Sequence, residues 1–424
     1  MSSRETTNEF SDLSSAKTLT GLQARMRAGI FSRLEKIRDA RLTVSDANGT
    51  ESFGKANDST IATLDASIQV LDPSFYNDIV SNGALGAAEA YMQGKWITPD
   101  LTAALSIFVR NRSVMLELDG GLTSLLKPVR RVGHWANRNT VKSSKKNIIA
   151  HYDLGEDMFK LFLDPTMSYS ATIYEHEHTS LEESALHKLD VICRKLQLNE
   201  NDHVVEIGTG WGGFAIYAAK NYGCKVTTTT ISPNQLEVAK RRVKAAGLED
   251  KVTLLEQDYR LLEGKFDKLV SVEMIEAVGL DFLDTFFAKC SSLVKPEGRM
   301  LIQAITIADR NHEHAAKAVD FIQKYIFPGG ALPSMGAIMN SVSGHTDMQI
   351  SGLQDIGQHY ARTLRDWRSG FFDNIEDIRK LGYPNEFIRM WDYYLSYCES
   401  GFMERSISTM QLVFDKPECR LTLP

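Results

Sequence analysis

The chain has 424 residues, 43% of them hydrophobic and 24% charged, the balance of an ordinary soluble globular protein of two or three domains. Disorder and collagen-like repeats are excluded, and a net charge of −6 argues against a nucleic-acid binder working through overall charge. The five cysteines (Cys193, Cys224, Cys290, Cys398, Cys419) lie at least 21 residues apart, without a CxxC motif, which fits reduced thiols in a cytosolic protein. No apolar run reaches the ~18 residues of a membrane span. The first residues, MSSRETTNEFSDLSSAK, lack the apolar core of a signal peptide. A cytoplasmic protein is expected, meeting a membrane only at its surface.

Residues 1–18 are polar and read as a disordered tail. From Leu22 the spacing of Met26, Ile30, Leu34 and Ile37 predicts a helix with one apolar face. Asp100 before LTAAL reads as a helix N-cap. Residues 19–119 are expected to form a small, mostly helical domain with some strand near 41–70. Between Asp119 and Asp153 there is no acidic residue but seven basic ones: Lys127, Arg130, Arg131, Arg138, Lys142, Lys145 and Lys146. This stretch, 120–150, reads either as a solvated linker or as a surface for anionic lipid. Interleaved Leu125, Leu126, Val129, Val132 and Trp135 favour a membrane over nucleic acid.

Residues 151–424 are expected to be one catalytic domain. HVVEIG (203–208), KVTTTTI (225–231), KVTLLEQD (251–258), KLVSVEM (268–274) and GRMLIQAIT (298–306) read as buried strands alternating with helices. That alternation predicts an α/β fold with a mostly parallel sheet, its ligand crevice beyond the carboxyl ends of the strands. A last strand, TMQLVF, is expected at 409–414.

VVEIGTGWGG (204–213) places Gly208, Gly210 and Gly213 where a strand turns into a helix, literally G-x-G-x-x-G. A dinucleotide site would want an acidic residue at the end of the next strand, but VTTTTISPNQ ends in hydroxyls. Glu206 just before the turn gives the look of motif I of class I S-adenosylmethionine methyltransferases. The flanking segments HYDLGEDMFKLFLDPTMSYS, TISPNQ, EQDYR, SVEMIEAVG, YIFPGGALPS and YYLSYCESGFMERSISTMQLVF follow in order. Together they closely resemble the cyclopropane-fatty-acyl-phospholipid synthase family, which includes the mycolic acid cyclopropane synthases, from about residue 80 to the C-terminus.

The resemblance implies a Rossmann-like, seven-stranded methyltransferase domain preceded by a smaller helical domain that engages phospholipid, often with dimerisation. It implies S-adenosylmethionine as cofactor, with contacts at Tyr169, Ser170, Glu206, Gly208, Gly210, Gly212, Thr230, Ser232, Gln235, Asp258 and Tyr259. The implied substrate is the double bond of an unsaturated fatty acyl chain on a membrane phospholipid. Methyl transfer to an alkene leaves a carbocation, and the site must shield it and remove one proton. Loss from the new methyl closes a cyclopropane; loss from the chain leaves a branched alkene.

Family enzymes hold a bicarbonate ion as the base, and its positions here are Ala171, Glu276, Gln303, Ile305 and Tyr360. Glu276, Tyr360 and the Ile305 backbone agree with the family. Ala171 stands where cysteine is usual, Gln303 where histidine is usual, and Ala277 replaces a frequent histidine. A glutamine cannot titrate near neutral pH, so bicarbonate is in doubt and Glu276 is the expected base, oriented by Tyr360. Cyclopropanation leads; a methyl- or methylene-branched product and a soluble small-molecule methyltransferase are the alternatives. EHEHT (175–179) and NHEHA (311–315) read as solvated polar runs, and no metal is expected. Trp391, Tyr393, Tyr394, Tyr397 and Phe402 read equally as an acyl channel or as core.

Overall fold

The computed structural model describes residues 18–54, 64–118, 155–317 and 319–422. The tail expected over 1–18, apart from residue 18, and the basic linker expected over 120–150 lie outside the described residues. The chain divides into two compact units. One comprises Met1–Val132 with Phe371–Ser406, the other Gly133–Gly370 with Ile407–Pro424.

In the first unit, β1 (Ala40–Asp46), β2 (Gly49–Phe53), β3 (Leu64–Val70) and β4 (Trp96–Ile97) form a sheet in the order β2-β1-β3-β4. The helix Gly21–Leu34 buries Ile30, Phe31 and Leu34, as its spacing requires. Leu22 in its first turn is 60% exposed, so the apolar face engages only further along. Asp100 caps the helix Leu101–Arg110, its carboxylate accepting from the Ala103 amide at 2.9 Å.

The helix Asn385–Met403 belongs to this unit, whereas the sequence reading kept 151–424 together. Its buried acids explain the difference, because their partners lie some 300 residues upstream. Asp392 accepts from the Tyr91 hydroxyl, and Glu399 from the Thr102 hydroxyl at 3.0 Å. Buried acids need such donors. Trp391, Tyr393, Tyr394 and Phe402 are buried in the same helix and serve as core.

The second unit is built on a seven-stranded sheet in the order β10-β11-β9-β8-β5-β6-β7. β5 (His203–Ile207), β6 (Lys225–Thr230), β7 (Val252–Glu256), β8 (Phe266–Val272) and β9 (Val294–Ile307) run parallel. β11 (Ile407–Asp415) and β10 (Gln349–Asp355) close the sheet antiparallel. This is the Rossmann-like architecture expected. From β5 the chain first builds outward through β6 and β7, then crosses to β8 on the other flank of β5. The carboxyl ends of β5 and β8 therefore border the switch point at which open α/β sheets take ligands.

Candidate active site

The turn after β5 brings three glycines into the left-handed region: Gly208 (φ +99°), Gly210 (+50°) and Gly212 (+85°). Their surroundings differ. A Cβ on Gly208 would meet the Met274 side chain at 3.2 Å, and one on Gly212 would meet Ala239 at 3.3 Å. A Cβ on Gly210 would enter open space. Gly210 thus presents bare backbone to the crevice, as a closely approaching ligand requires. Gly208 and Thr209 donate their amides to the Thr229 carbonyl, which ties the turn to the end of β6.

The other residues expected to hold a cofactor fall into four groups. Thr230, Ser232 and Gln235 are knitted together where β6 meets the helix Pro233–Ala245. The Thr230 hydroxyl donates to Gln235 Oε1 at 2.9 Å, and Ser232 caps the helix by accepting the Gln235 amide. Past β7, Asp258 holds Arg260 through both oxygens, at 2.8 and 2.6 Å, while the Tyr259 ring packs edge-on against Phe286. Glu206, within β5, is buried with Oε2 unpartnered, and burial pushes its carboxyl up to about 8. A positively charged ligand group at the turn would answer that oxygen, so the residues fit the aminoacyl end of S-adenosylmethionine.

Tyr169 and Ser170 approach from the segment before the helix Leu181–Leu196. Tyr169 lies in a row of rings that starts at the glycine turn: Trp211 to Phe159 (5.8 Å), Phe159 to Tyr169 (5.1 Å), Tyr169 to Trp367 (5.2 Å) and Trp367 to Tyr360 (6.0 Å). Ser170 accepts a hydrogen bond at 3.0 Å from Lys188, which is 2% exposed.

Four of the five residues expected around a base meet one carboxylate or its neighbour, and that carboxylate was not singled out from the sequence. Glu273, immediately after β8, accepts at Oε1 from the Ala171 amide (2.9 Å) and from the Gln303 side-chain NH2 (2.8 Å). Its Oε2 accepts from the Tyr360 hydroxyl at 2.8 Å. Glu276, three residues on, instead accepts the Ile305 amide at Oε1, and its Oε2 is buried without a partner.

Both carboxyls are pushed above the usual carboxylate range by burial, Glu276 to about 8 with Glu273 as a like-charged neighbour. Within such a pair the charge settles on the member with more donors. Glu273 has three donors and Lys188 near it, so it carries the charge while Glu276 holds the proton. Glu276→Gln is therefore expected to stabilise the protein at alkaline pH. A carboxyl raised on folding contributes stability that is complete below the ordinary carboxylate range and falls away as pH climbs to about 8. Melting curves of parent and variant should nearly coincide near pH 4.5 and separate by several degrees at about pH 8.5, the variant higher.

Behind Gln303 a row of amides leads outward. Lys195 donates to Gln411 Oε1 at 2.6 Å, Gln411 donates its NH2 to Gln303 Oε1 at 2.9 Å, and Gln303 donates to Glu273. An ammonium can only donate, so it fixes which way Gln411 faces and hence which way Gln303 faces. Sequence reasoning missed Glu273, Lys188, Trp367, Lys195 and Gln411. For Glu273 a signal existed, an acid at the carboxyl end of a predicted buried strand. Among the described residues no group of three or more His, Cys, Asp or Glu side chains is placed to hold a metal ion.

A parallel sheet with a glycine turn at its switch point is the scaffold of class I S-adenosylmethionine methyltransferases. Solved structures agree: a mycolic acid cyclopropane synthase bound to SAH and CTAB superposes with TM-score 0.60 at 29% identity, covering 64% of this chain and 98% of that one. The mycolic acid cyclopropane synthetase family model matches residues 139–412. The cyclopropane-fatty-acyl-phospholipid synthase of Escherichia coli (strain K12) is 37% identical, over 83% of this chain and 88% of its own. The tuberculostearic acid methyltransferase of Mycobacterium tuberculosis is 36% identical, over 78% of each. The chain belongs to the mycolic acid cyclopropane synthetase family. It is an S-adenosylmethionine-dependent methyltransferase.

Proposed function

We propose that this methyltransferase alkylates the double bond of an unsaturated fatty acyl chain carried on a membrane phospholipid. The observation that carries the reading is the pairing of a buried carboxylate with a row of rings running from the cofactor turn to Tyr360. A carbocation needs such surroundings: aromatic faces to stabilise it, little water, and a base for one proton.

S-adenosylmethionine supplies an electrophilic methyl. The backbone at Gly208, Gly210 and Gly212 and the Glu206 carboxyl would hold its aminoacyl end. Thr230, Ser232, Gln235, Asp258, Tyr259, Tyr169 and Ser170 are the remaining proposed contacts. Trp367 and Tyr360 would flank the acyl chain where positive charge develops.

Cyclopropane formation is the first reading of the product, in line with the Escherichia coli relative. Ala171 and Gln303, which depart from the usual residues, favour a branched, unclosed chain as the second, in line with the tuberculostearic acid enzyme. No described helix is long and apolar enough to cross a membrane. The basic stretch between Asp119 and Asp153 supports access to the lipid from an anionic surface.

The test is methylation of monounsaturated phospholipid vesicles, read by mass spectrometry. Acyl chains heavier by one CH2 are expected, at rates that fall as salt screens anionic vesicles over a Debye length of ~8 Å. Ozonolysis then separates the readings, because a branched alkene is cleaved and a cyclopropane is not. Vesicles left unmodified while a soluble amine or alcohol is methylated would sink the lipid assignment.

A further inference from the structure

Three donors converge where the family resemblance implies a bound bicarbonate: the Ala171 amide, the Gln303 side-chain NH2 and the Tyr360 hydroxyl. In this protein all three are spent on Glu273. An added bicarbonate would find those donors taken and would face a carboxylate of its own sign in a buried site. The residues present do not fit the ion.

The backbone carries a second, independent sign that this carboxylate is built in. Glu273 has φ +48°, a left-handed conformation that a residue with a Cβ adopts at a cost. Three hydrogen bonds to its side chain, and one from its own amide to the Gln303 carbonyl at 2.8 Å, hold it there.

We propose that Glu273 is the general base of this enzyme, the chain itself supplying the carboxylate that bicarbonate would otherwise bring. The proposal rests on the reading of the site as an alkene methyltransferase. The alkene π pair forms the new bond to the methyl carbon as the carbon–sulfur pair returns to sulfur, and the positive charge passes to the neighbouring chain carbon. Oε2 of Glu273 keeps a lone pair beyond the one engaged by Tyr360. It takes one proton, and the released C–H pair closes the ring or forms a new double bond. Glu273 is left neutral until product departs and solvent takes the proton. Glu276, already holding a proton and short of donors, is the weaker candidate.

The test compares the parent enzyme with Glu273→Gln and Glu273→Gly, in buffer stripped of carbon dioxide and again with bicarbonate added. Glycine suits the left-handed backbone and vacates the carboxylate. Parent turnover should be indifferent to bicarbonate. Glu273→Gln should lose about 100-fold or more in turnover with S-adenosylmethionine affinity kept, and Glu273→Gly should recover about tenfold on adding bicarbonate or formate. Calorimetry with bicarbonate alone, independent of turnover, should show binding to Glu273→Gly and none to the parent. Bicarbonate binding to the parent, strong bicarbonate dependence of its turnover, or near-full activity of Glu273→Gln would each overturn the proposal. A parent that modifies no lipid, with bicarbonate bound only by Glu273→Gly, would fail the functional reading and leave the built-in carboxylate standing.

Discussion

Lys188→Met should lower the stability of the fold by about 3–5 kcal/mol, or roughly 10 °C in melting temperature. Lys188 is buried and donates to Ser170; burial lowers the pKa of its ammonium, and Glu273, Asp164 and Glu206 nearby work against that loss of charge. Methionine keeps the length and the apolar stem but removes the charge. The buried acids then lose their counter-charge, and those still ionised must take up protons or pull in water. Glu273 would move towards its neutral form, so turnover should fall further than the loss of folded protein explains. Urea unfolding, with activity measured at matched folded fraction, checks both parts. An unchanged unfolding midpoint would show that the acids are compensated from elsewhere.

Gly210→Val should weaken S-adenosylmethionine binding by about 100-fold while the fold is kept, the melting temperature falling by only a few degrees. The valine side chain would enter the open space that the turn borders, and its backbone at φ +50° would bear a cost of about 1–2 kcal/mol. Gly213→Ala is the contrasting variant. Its Cβ would sit 2.6 Å from the Thr166 carbonyl oxygen, so it should destabilise the fold. Calorimetric titration with the cofactor, alongside thermal melts, separates the two effects. A folded Gly210→Val variant of parental affinity would remove the turn from the cofactor site.

The parallel strands were legible because each is a short apolar run before a turn, and the glycine turn because its spacing is unusual. β10 was not legible: in QISGLQD no residue is buried, so an edge strand left no apolar pattern. The place of Asn385–Met403 was equally unreadable, since the partners of Asp392 and Glu399 lie hundreds of residues away. The site was read in halves. Ala171, Gln303, Ile305 and Tyr360 were named, yet the carboxylate joining three of them was passed over in favour of Glu276. A buried acid at the end of a strand has no periodicity to betray it, and only the fold shows which donors it meets.

The row from Lys195 to Glu273 has a sense of travel, like an arrow drawn through four side chains. Each amide can be entered only by its oxygen and left only by its nitrogen, so reversing one link reverses every link after it. Glutamate in place of Gln411 would grip Lys195 more strongly and still break the arrow, because it has no proton to pass on to Gln303. Gln303 would then be free to turn its own oxygen toward the Glu273 carboxylate and repel it. The orientation of a donor to Glu273 is thus decided by a charge three hydrogen bonds away, near the rim of the fold. Tolerance to change in this protein should follow that arrow rather than distance from the acyl chain.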